Sequence, residues 1–111
     1  MYGFRFVKLE GFQQTANLDQ ITGVVIHSDM KPTGTFTCSD SLINRLQSNI
    51  QWGQKGNFLD VPTDCPQRDE RQGWLGDRSA ECTGESYIFD ISKLYSKWVT
   101  DINDTQLESG S

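Results

Sequence analysis

The spacing of hydrophobic and polar positions changes near residue 38. Upstream, apolar residues gather in short runs. Residues 4–10 are aromatic and β-branched and close at Gly11, and residues 21–28 are rich in β-branched side chains. Both patterns predict strands, because such side chains fit a pleated surface. Lys31-Pro32-Thr33-Gly34 reads as a turn, and residues 35–37 as a short further strand.

Downstream, the spacing becomes helical. Leu42, Ile43, Leu46 and Ile50 share one helix face, which predicts a helix capped by Ser39 or Asp40 and ended near Lys55 by Gly56. A second helix is predicted from 77–79 to about 89, with Gly84 weakening its interior. The third has the clearest stripe. Asp90 is placed to cap it, and Ile91, Leu94, Tyr95, Trp98, Val99 and Ile102 follow at helical spacing. The tail after Leu107 is expected to fray.

Residues 57–77 remain as a loop, and a loop of that length is uncommon in a compact domain unless it is functional. The expected fold is therefore a few β-strands followed by about three α-helices. These helices have several apolar faces that need covering, which implies the end of one domain and the start of a much larger one.

Composition narrows the function classes. Fifteen acidic against ten basic residues give a net charge of −5. That balance argues against nucleic acid or an anionic membrane as partner, and leaves a neutral small molecule or sugar open. The longest apolar run, Val24-Val25-Ile26, is far too short to span a bilayer. The N-terminus lacks a signal-peptide core. Cys38, Cys65 and Cys82 form no C-x-x-C pair, so no zinc site is expected and the thiols read as reduced, in keeping with a cytoplasmic protein. His27, the single histidine, has no triad partners at readable spacing and reads as structural.

The chemistry concentrates in residues 64–78. Four carboxylates (Asp64, Asp69, Glu70 and Asp77), three arginines (Arg68, Arg71 and Arg78) and Trp74 lie within these fifteen positions. Pro66, Gly73 and Gly76 keep the stretch from being one helix. Each residue carries two readings. Glu70 is either a general acid or the partner of Arg68 or Arg71 in an ion pair. Asp64, on a strip stiffened by flanking prolines, either faces a ligand or bonds its own backbone. Arg68 either binds a ligand hydroxyl or pairs with Asp69 or Asp64. Asp77 either caps the second helix or turns to a ligand, and can do both. Trp74 is either a stacking platform for a sugar or a core anchor.

The run from Asn57 through Asp60, Asp64-Cys65-Pro66-Gln67-Arg68-Asp69-Glu70-Arg71 and Gly73-Trp74-Leu75-Gly76-Asp77 resembles the signature of the inverting α-L-rhamnosidases of glycoside hydrolase family seventy-eight. The flanks at residues 3–11, 26–30 and 35–40 resemble the junction where a β-sandwich domain hands over to an (α/α)6-barrel catalytic domain. The resemblance implies that residues 1–37 are the last strands of the sandwich with a linker, and that 38–111 open the barrel. It also implies Glu70 as general acid, Asp64, Arg68 and Asp77 as rhamnose-binding residues, Trp74 as a wall of the sugar site, and a reaction without metal or organic cofactor.

A barrel of twelve helices needs on the order of 300 residues. The resemblance thus implies a fragment that lacks the barrel's general base, a glutamate far downstream, and that is inactive alone. The competing expectations are a non-catalytic sugar-binding or interaction module, and another inverting hydrolase with a different sugar specificity. Aglycone, linkage and oligomeric state are not legible in these residues.

Overall fold

The computed structural model describes residues 3–110. Met1, Tyr2 and Ser111, the outer ends of the two expected segments and of the expected frayed tail, lie outside it. A short 3-10 turn, Leu18–Gln20, is followed by α1 (Ser41–Asn57), β1 (Phe58–Leu59), β2 (Val61–Pro62), α2 (Leu75–Ser86) and α3 (Ser92–Thr105).

The expected strands at 4–10, 21–28 and 35–37 do not form among the described residues. The segment runs extended and largely exposed, with Phe6 89% and Val24 75% accessible. Strand propensity only expresses the fit of a side chain to a neighbouring strand, and among the described residues no strand pairs with these segments, although the Ser28 N–H reaches Phe58 O of β1. Among the described residues the paired ladder lies elsewhere, in the loop region: β1 and β2 pair antiparallel around Asp60, whose φ of 69° turns the chain back in a single residue. Aspartate tolerates that left-handed geometry better than most residues, and Lys97 on α3 holds its carboxylate at 2.9 Å.

Helix α1 starts as expected, with Asp40 Oδ1 accepting the Leu42 N–H at 2.8 Å. Asn44 strengthens the start by exchanging two hydrogen bonds with the Cys38 backbone, at 2.9 and 2.8 Å. Gly56 does not end the helix. The chain stays helical to Asn57 and leaves when Phe58 departs from helical geometry and buries its ring. The predicted apolar face, Leu42, Ile43, Leu46 and Ile50, is formed but lies open to solvent. Helix α2 begins earlier than expected, at Leu75, and ends at Ser86 so that Phe89 can bridge to Pro32. Helix α3 starts at Ser92, with Asp90 Oδ1 accepting its N–H at 3.1 Å.

The core joins sequence-distant pieces. Met30, Phe58, Phe89, Ile91 and Leu94 form one cluster, with Ile88 and Tyr95 packed against it. Met30 reaches the cluster because the chain around it is tied down on both sides. Ser28 N–H donates to Phe58 O at 2.7 Å, and Asp90 N–H donates to Lys31 O at 2.8 Å. Outside this core the chain is open: its radius of gyration is 17.9 Å, against about 13 Å for a compact domain of 100 residues.

Beneath the core lies a buried charge. Glu85 is 3% exposed and takes hydrogen bonds from Arg78 on its own helix and from the Tyr95 hydroxyl on α3. Burial pushes the Tyr95 hydroxyl to titrate above its ordinary range, and the hydrogen bond to Glu85 adds to the shift. Arg78 also reaches Glu81 at 2.7 Å and lies 5.9 Å from the centre of the Phe58 ring. Removing one partner of a buried pair leaves an uncompensated charge, at about 3–5 kcal/mol. Glu85→Ala is therefore expected to lower the unfolding free energy of the protein by about 3–5 kcal/mol in urea titration. Glu81→Ala, at the 60%-exposed end of the same arginine, is expected to change it by less than about 1 kcal/mol. Equal effects from the two substitutions would contradict this account.

Candidate functional site

The loop between β2 and α2 is closed on itself by Asp64. Its N–H donates to Gln72 O at 3.0 Å, and its Oδ1 accepts the Gln72 N–H at 2.8 Å. Residues 65–71 are thereby pinched into a ring. Arg71 turns the chain inside it at a φ of 51°, and its guanidinium pairs with Asp69 at 2.9 Å. The downstream anchor is Gly73. A Cβ at this position would lie 2.9 Å from the Trp98 indole nitrogen on α3, so only glycine lets the loop pass so close. The upstream anchor is Pro62 of β2, which is buried.

Four of the five candidate residues converge inside this ring. Arg68 is the hub. Its guanidinium lies 2.7 Å from Glu70 Oε2 and 3.6 Å from Asp64 Oδ2, and its Nε–H donates to Cys65 Sγ at 3.2 Å. The second Glu70 oxygen, Oε1, accepts the Trp74 indole N–H at 3.0 Å. Cys65 is buried, and its thiol lies 3.4 Å from Asp64 Oδ2 as donor. Each of the carboxylates Asp64 and Glu70 is thus held at both oxygens.

The structure selects among the alternatives. Glu70 pairs with Arg68 rather than Arg71, and Arg68 reaches Asp64 and Glu70 rather than Asp69. Asp64 does bond its loop's backbone, while its other oxygen faces Arg68. Trp74 is not a core anchor, being 51% exposed. Asp77 does not cap α2. It sits exposed in the first turn of the helix, where a negative charge suits the helix dipole, and no hydrogen bond or ion pair joins it to the other four among the described residues. His27 is satisfied through Nδ1, 2.7 Å from Ser28 O.

The place of Cys65 between Asp64 and Arg68 was not legible in the sequence beyond a thiol set among charged residues. The Arg78–Glu85 pair left a signal: seven residues is two helical turns, which puts both side chains on one face.

Metal-type ligand atoms of Asp64, Cys65 and Glu70 lie within 4.8 Å of one another, but the Arg68 guanidinium contacts all three and already supplies their positive charge. A groove of about 490 Å³ lies between α1 and α2, against Gln54, Asn57, Arg78 and Glu85, and none of the five candidate residues lines it. The three cysteines are free thiols. No helix among the described residues is long and apolar enough to cross a membrane.

Residues 31–111 match the family model of the bacterial alpha-L-rhamnosidase six-hairpin glycosidase domain. An alpha-L-rhamnosidase of Formosa agariphila is 44% identical over 98% of the chain, which spans 12% of that protein. In structure, the chain superposes on the alpha-L-rhamnosidase of Dictyoglumus thermophilum with a TM-score of 0.82 and 44% identity, covering 91% of this chain and 11% of that one. A Streptomyces avermitilis alpha-L-rhamnosidase complexed with L-rhamnose gives a TM-score of 0.69 at 41% identity, covering 74% of this chain and 8% of that one. The chain thus spans about a tenth of the length of its relatives.

The ring predicts an acid-dependent stability. Burial alone pushes the Asp64 carboxyl up, but the Gln72 N–H and the Cys65 thiol outweigh it, and Asp64 titrates below its ordinary 3.8. A group lowered in the folded state stabilises the fold above its unfolded pKa, and that contribution fades as pH falls through the folded value. Asp64→Asn keeps an acceptor for Gln72 but removes the titration. Its urea midpoint is expected to fall less steeply than that of the parent protein below pH 3.8. Parallel acid limbs would rule out Asp64 as a contributor.

Proposed function

The chain belongs to the bacterial α-L-rhamnosidase six-hairpin glycosidase family, and we propose that it supplies the acid side of a rhamnoside-hydrolysing site. The observation that carries this reading is the convergence of Asp64, Arg68, Glu70 and Trp74 in one clasped ring, on a chain whose relatives are rhamnosidases. In this reading Glu70 is the general acid. It gives a proton to the departing glycosidic oxygen as the bond to the anomeric carbon breaks. A positioned proton donor contributes about 10²–10⁴-fold to rate.

Asp64 and Arg68 act as partners for sugar hydroxyls. A carboxylate accepts from hydroxyl groups and a guanidinium donates to them, so the pair can read both faces of a diol. Asp77 enters from the start of α2 as a further acceptor. The exposed ring of Trp74 offers a flat apolar surface at the edge of the site. The reaction is read as a single displacement with inversion. Such a mechanism needs a second carboxylate about 6.5–9.5 Å from the acid, holding a water on the opposite face of the sugar. We assign that base to sequence beyond this chain, in the same barrel as α1, α2 and α3. Residues 1–37 are read as the end of a preceding sandwich domain with its linker.

Two measurements test the reading. In a protein carrying this segment together with the rest of the catalytic domain, Glu70→Gln is expected to lower kcat on an alkyl rhamnoside by about 10²–10⁴-fold. The same variant keeps near-native turnover on a dinitrophenyl rhamnoside, whose leaving group needs no proton. Native turnover of the alkyl rhamnoside by the variant would end the acid assignment. The 111-residue chain alone is expected to release no rhamnose from an aryl rhamnoside, and measurable release would overturn the assignment of the base to sequence outside it.

A further inference from the structure

We propose that Trp74 is a positioning residue, and that its indole N–H makes Oε2 of Glu70 the oxygen that carries and delivers the proton. This rests on the reading of Glu70 as the acid and goes beyond it, because it assigns the acidic atom and gives Trp74 a task other than stacking.

The two Glu70 oxygens have different neighbours. Oε1 accepts the Trp74 Nε1–H at 3.0 Å, and Oε2 lies 2.7 Å from the Arg68 guanidinium. A protonated carboxyl has one hydroxyl oxygen and one oxygen that only accepts. Once Arg68 turns away, Oε1 alone keeps an N–H donor and is the accepting oxygen, which leaves Oε2 to bear the proton. A guanidinium has donors only, so a hydroxyl at Oε2 has nothing to donate to while Arg68 stands there. Oε2 thus becomes the delivering atom when Arg68 turns away.

The two clamps differ in how readily they move. The Arg68 side chain is 63% exposed and has Asp64 Oδ2 at 3.6 Å as a second anionic partner. It can leave Glu70 for Asp64 and a sugar hydroxyl without stranding its charge. The Trp74 backbone is anchored instead. Its carbonyl accepts the Arg78 N–H at 3.3 Å as α2 begins, and the preceding Gly73 lies against Trp98. Trp74 therefore keeps the carboxyl plane fixed while Arg68 moves. In the step itself the glycosidic C–O bond breaks, its electron pair stays on the departing oxygen, and that oxygen takes the Oε2 proton. A water adds to the anomeric carbon and loses its proton to the base, and Glu70 is reprotonated from solvent.

The test uses the complete catalytic protein with two changes at position 74: Trp74→Phe, and replacement by β-(3-benzothienyl)alanine, which keeps the fused ring and lacks the N–H. If the N–H positions the acid, both variants lose about tenfold or more in kcat on an alkyl rhamnoside. In the benzothienyl variant, which keeps the fused ring, turnover of a dinitrophenyl rhamnoside and KM for both substrates stay near the parent values, whereas Trp74→Phe can also raise KM. If the ring is only a wall, the benzothienyl variant matches the parent on both substrates and Trp74→Phe raises KM on both alike, and the inference is overturned. The isostere keeps the comparison valid should the phenylalanine variant fold poorly. Glu70→Gln, measured alongside, separates the two levels. Its loss of alkyl rhamnoside turnover with unaffected position-74 variants removes this inference alone, whereas its native turnover removes the acid assignment and the inference with it.

Discussion

The structure depends on how one buried carboxylate is satisfied. Glu85 lies under the core with almost no solvent, and burying an ionised group is tolerable only when its hydrogen-bond capacity is filled. Arg78 and Tyr95 fill it. Because these two residues sit on α2 and α3, the pair of helices has one mutual setting in which the charge is paired. Phe58, at the end of α1, packs beneath the same arginine. A single electrostatic requirement therefore ties α2 to α3 beside the end of α1.

That setting reaches the loop through its downstream end. Trp74 stands at the first turn of α2, and Gly73 passes against Trp98 of α3. If α2 moved on α3, the loop would lose that seat. Upstream, β2 is held through Pro62 and through the Lys97–Asp60 pair. Between these anchors the loop needs only the two hydrogen bonds of Asp64 with Gln72 to close into a ring. Side chains held from a rigid frame can be aimed, and aim is what acid catalysis requires. Inside the ring, each charged group answers another: Arg68 serves Asp64 and Glu70 together, while Arg71 is taken by Asp69.

How much could be read in advance varied with the range of the forces involved. The α1 cap at Asp40 and the stripe of α3 were legible because both depend on neighbours within one or two turns. The start of α2 was misplaced by two residues or more. Asp77 is a good capping residue, but the helix begins where the glycine passage past Trp98 ends, and that passage is tertiary. Gly56 misled for a related reason: the helix ended where Phe58 entered the core, not where propensity was lowest. The strand-like segments at 4–10 and 21–28 had the right side chains and no partner strand to pair with.

For this protein the residues alone determined the family, the concentration of charged groups between Asp64 and Asp77, and which side chains are candidates for its chemistry, because these are matters of residue type and spacing along one continuous stretch. Tertiary structure decided which arginine serves which carboxylate, that a buried thiol joins Asp64 to Arg68, and that Trp74 faces Glu70 rather than the core. The reason is geometric. Within a loop of mixed charge, many pairings are chemically equivalent, and only the closed path of the backbone brings particular atoms within three ångströms or so of each other.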